Sequence, residues 1–179
     1  MAYDNEVVLK AVKTYLQDNL ETALTTVETY WRTQTTPDPL ILPLPVTYFE
    51  GYKPTFLEME SSEFPLVAIM AMERTPESGG TQKASWGYQE QVISCIVNFV
   101  VVSDDEEGVN KIAQRYARAV VALMQAQRNF AGYAQVDFEP AATLSPASRH
   151  ARTHEASMME PETTDFIMAG AVETVMEGG

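Results

Sequence analysis

The chain has 179 residues, 45% of them apolar and 21% charged, and a formal net charge of −13. Those figures fit one soluble globular domain with a core of its own, and they argue against binding nucleic acid by neutralising phosphates, which needs clustered Lys and Arg. The apolar runs fall far short of the roughly 20 residues that span a bilayer, and the start "MAYDNEVV" lacks the basic and hydrophobic parts of a secretory leader, so neither membrane insertion nor that export route is expected.

At the N-terminus, Asp4 or Asn5 can cap a helix whose apolar stripe is Val8, Val12, Tyr15 and Leu16. The phase slips at Asp18, where Asp18 and Glu21 repeat a D-x-x-E start, and a second stripe follows at Leu20, Leu24, Val27 and Trp31. Two short helices or one kinked helix both satisfy this pattern. Residues 35–45, "TTPDPLILPLP", carry four prolines in eleven positions and predict an extended linker. Residues 46–52 read as a strand with Gly51 at a turn or bulge, and residues 64–73, "FPLVAIMAME", as a buried strand. A long polar loop, residues 74–84, precedes "SWGYQEQ", which leads into the next strand.

That next strand is the most legible element. Ile93, Cys95, Val97, Phe99 and Val101 make one fully apolar face, while Ser94, Ile96, Asn98, Val100 and Val102 make a mixed one. After the run Asp104, Asp105, Glu106 and Glu107, the period changes. Apolar residues fall at Val109, Ile112, Ala113, Tyr116, Ala117, Val120, Leu123 and Met124, a helical stripe with Lys111, Gln114, Arg115 and Arg118 off it. Ser103 and Glu106 have the S-x-x-E spacing of a capping box, and carboxylates in a first turn favour the positive end of the helix dipole. The acidic run therefore reads as a helix start; a calcium loop would need alternating oxygen ligands, a sixth-position glycine and a distant bidentate Glu.

A strand over residues 133–141, a loop over residues 143–164 and a closing strand over residues 165–177 complete the chain. Consecutive strands with helices segregated from them predict a single α+β domain over residues 1–179, a mainly antiparallel sheet with helices packed on one face.

Catalytic signatures are not expected. His150 and His154, the only histidines, are spaced H-x-x-x-H beside Glu155, which on a helix would suit zinc. Their segment has no apolar stripe, and Arg149 and Arg152 would repel a cation, so a solvated loop is the simpler expectation. No G-x-S-x-G elbow or phosphate-cradling glycine loop occurs. Cys95, mid-strand, is expected to be buried and inert, and as the single cysteine it can form no intrachain disulfide. Lys111, Arg115 and Arg118 form a basic edge on the second helical pattern, either a solvated face or a contact with an acidic neighbour.

In its order of elements the chain resembles the small tail terminator, or tail completion, proteins of tailed bacteriophages. The resemblance rests on "VLKAVKTYLQDNLETALTTVE", the proline-bounded "LPVTYFEGYKP", "FPLVAIMAME", the strand into "EGVNKIAQRYARAVVALMQ", and "FIMAGAVETVMEG". It implies a structural virion protein without cofactor, assembled in the host cytoplasm. Its partners would be itself as a hexameric ring, the major tail tube protein below and the head connector above, with DNA passing through the lumen unbound. Six copies at −13 each would carry −78, a sign that lets DNA slide. Under the same resemblance the long loops are expected to carry the contacts, through Lys83, Trp86 and Tyr88 by the first and Arg149, Arg152, Met158 and Met159 in the second. A neck stopper or adaptor is the neighbouring alternative, and a small metal-binding domain or enzyme using His150 and His154 is the alternative of another class.

Overall fold

The structure, a computed structural model, describes residues 4–51, 61–74, 91–135, 142–148 and 166–178. The two helices are α1 (Asp4–Arg32) and α2 (Glu106–Ala126), and the strands are β1 (Thr47–Glu50), β2 (Leu66–Arg74), β3 (Gln91–Ser103), β4 (Asn129–Phe130), β5 (Tyr133–Gln135), β6 (Ala142–Ser148) and β7 (Phe166–Gly178). Both helices lie on one face of a seven-stranded sheet of order β1-β2-β3-β7-β5-β4, with β6 also on β7. The fold is the α+β arrangement expected from the order of elements.

The N-terminal pattern forms one uninterrupted helix, α1. Its buried residues are Val8, Val12, Leu16, Leu20, Leu24 and Val27. A four-residue step overshoots one helical turn by about 40°, so this stripe winds around α1 as it advances. The apparent phase slip at Asp18 is that drift. It suits a helix that meets different neighbours along its length: Tyr15 donates to the Leu123 carbonyl and sets its ring edge-on to Phe130, whereas Trp31 meets Arg115.

α2 buries the expected stripe, Val109, Ile112, Ala113, Tyr116, Ala117, Val120 and Met124, with Leu123 partly buried against the core. Its cap differs from expectation. Asp105, not Ser103, is the N-cap, accepting from the Gly108 amide at 2.6 Å, while the Ser103 hydroxyl accepts from the Asp105 amide at 3.3 Å. The two short side chains act in series, and Glu106 is the first residue of α2.

In the sheet, β2, β3 and β7 pair antiparallel over long registers. β1 is the exception, parallel to β2. Parallel neighbours need a crossover connection, which the chain between Gly51 and Leu66 is long enough to supply. Two β-elements depart from expectation. Residues 142–148, expected mostly as loop, form β6, an outer strand along the first half of β7. Pro146 disguised it; a residue without an N–H is tolerated where one edge faces outward. The chain also turns back at Phe130 and Tyr133 through Ala131 (φ 54°) and Gly132 (φ 91°), two left-handed residues that match the twist of a tight hairpin. Residues 136–141, 149–165 and most of the expected 74–84 loop lie outside the described residues.

The core lies between the helices and the inner sheet face, where Cys95, Val97, Phe99, Val101, Val172 and Met176 meet α1 and α2. A smaller cluster of Phe64, Leu66, Ala68, Val100 and Ile167 lies on the opposite face. Cys95 is fully buried, and desolvation pushes its thiol up to about 12. The native protein should therefore resist a thiolate-specific disulfide reagent and react only after denaturation. Fast labelling of the folded protein at neutral pH would show that this strand opens locally.

Candidate interaction surface

The proline-rich segment after α1 is not a free linker. Asp38 accepts from Arg115 Nη2 at 2.6 Å, with Lys111 Nζ at 3.7 Å, and the Asp38 amide donates to the Trp31 carbonyl at 3.2 Å. Leu42 is buried and its amide donates to Glu28 Oε1 at 2.6 Å, while the Tyr116 hydroxyl donates to the Pro43 carbonyl. Val46 closes the run by donating to the Pro65 carbonyl at 2.8 Å. Residues 35–46 form a strap that runs from the last turns of α1 past the middle of α2 to Pro65, just before β2.

The basic edge of α2 is what pins it. Arg115 is 4% exposed, with its guanidinium 5.0 Å from the centre of the Trp31 ring, so it belongs to the interior and not to a solvated face. The pattern of α2 could not show this, because an Arg beside the apolar stripe is normally outside. Arg115 Nη1 and Trp31 Nε1 donate to no acceptor among the described residues. Arg118 stays exposed and lays its guanidinium 4.2 Å from the centre of the Tyr30 ring. Lys111 bridges Glu107 at 2.7 Å and Asp38.

The Asp38 carboxyl is held below its ordinary value, first by the Leu40 amide, then, against the opposing effect of burial, by Arg115 and Lys111. A carboxylate with a depressed folded pKa stabilises above its unfolded value and loses that contribution as pH falls through the folded one. Thermal stability should therefore fall below about pH 4, and Asp38→Asn should flatten part of that decline. Glu50, held down by Lys13, acts in the same direction and keeps the remainder. Asp38→Ala should lower the melting temperature more than Arg115→Met. The first strands a buried guanidinium, whereas Met removes the charge and keeps much of the stem volume. The opposite order would mean that Arg115 serves by packing alone.

Among the described residues, seven large apolar side chains are exposed: Val7, Tyr30, Ile41, Leu44, Val46, Met72 and Phe166. Three of them lie within six residues on the strap. Ile41 (70%), Leu44 (47%) and Val46 (60%) stand along the strap; Tyr30 is near the end of α1, and Phe166 is paired with Ser103 beside the acidic turn. A cluster of this kind marks a contact surface more readily than scattered singles do. Its signal was present in "LILPLPV", but an extended segment gives no periodicity that separates its buried Leu42 from its exposed Ile41.

The residues expected to make contacts, Lys83, Trp86, Tyr88, Arg149, Arg152, Met158 and Met159, lie outside the described residues, as do His150 and His154. Among the described residues no group of three or more His, Cys, Asp or Glu is placed to hold a metal ion, and no helix is long and apolar enough to cross a membrane. A shallow hollow on α1 is lined by Glu21, Thr22, Thr25, Thr26 and Thr29. Two of its hydroxyls are spent on their own helix, Thr26 to the Thr22 carbonyl and Thr29 to the Thr25 carbonyl. No protein-family model matches the chain, and no curated protein matches it in sequence.

Proposed function

We propose that the chain is a non-catalytic structural subunit of a tailed-phage virion, forming a ring that caps the tail tube, ends its polymerisation and joins it to the head connector. The observation that carries this is the order of elements on one sheet: long helix, proline strap, edge strand, paired long strands, second helix and closing strand. That is the order on which the resemblance to tail terminator proteins rests. The net charge of −13 supports it, because a ring lined with such subunits repels the DNA backbone and lets it pass. The exposed apolar side chains of the strap support a chain that works against other proteins.

Phage particles assembled without this chain, viewed by negative-stain electron microscopy, should show overlong or unattached tails beside filled heads. Tails of normal length lacking only head attachment would instead indicate a stopper or adaptor in the neck. Intact particles indistinguishable from the parent would remove the chain from tail assembly.

A further inference from the structure

We draw no further inference here: the strongest candidate, the exposed apolar row of Ile41, Leu44 and Val46 on the strap, carries nothing because nothing in the structure shows what covers it.

Discussion

Val120→Asp and Phe99→Asp should each abolish folding. Both positions have no exposed surface, Val120 on the inner side of α2 and Phe99 at the centre of β3 beneath it. A carboxylate placed there has no cation to pair with, since the residues packed around it are apolar. Burying an unpaired polar group costs several kcal/mol and an unpaired charge more, against the roughly 5–15 kcal/mol that holds a whole domain together. Circular dichroism with thermal melting should show loss of the cooperative transition, or protein recovered only from inclusion bodies. A soluble Val120→Asp protein that melts cooperatively near the wild-type temperature would mean that this face of α2 does not meet the sheet.

Gly170→Ala is the smallest change expected to have a large effect. Gly170 sits opposite Phe99 on β7, and the Phe99 ring lies across it. A Cβ added at residue 170 would come within 2.1 Å of the ring's Cζ, 2.5 Å of Cε2 and 2.6 Å of Cε1. Phe99 cannot swing away, because its ring is fully buried with the Tyr116 ring centre 5.8 Å from its own. Tyr116 is fixed in turn by its hydrogen bond to the Pro43 carbonyl on the strap. Overpacking of this kind costs about 1–3 kcal/mol in ordinary cores, and with both neighbours fixed the upper end is expected. Phe99→Leu shortens the side chain that collides. The double variant Gly170→Ala with Phe99→Leu should therefore be more stable than the sum of the two single losses by about 1 kcal/mol or more in urea unfolding. Strict additivity would show that the two residues do not share the site.

Much of the architecture was written locally. The alternation from Ile93 to Val101 specifies a strand with one apolar face, and the spacing Val109, Ile112, Tyr116, Val120 specifies a helix with one apolar side, because each period follows from backbone geometry alone. Their succession, with the acidic turn between, was enough for the α+β class and for helices on one face of a sheet. The burial of Cys95 was legible for the same reason, since its place in the alternation put it inside.

Pairing and covering were not legible, because neither is local. Nothing in "TYFE" says that β1 runs parallel to β2, and nothing in "ATLSPAS" outweighs its proline until β7 offers a long edge to pair with. Arg115 looks like surface on its own helix; only the arrival of Trp31 from the end of α1 and of Asp38 from the strap makes a buried place for it. The same holds for the candidate surface. Four prolines determine that residues 35–45 are extended, but an extended chain takes its inside and outside from what it lies against. The tertiary structure alone turned Leu42 inward and left Ile41, Leu44 and Val46 facing out.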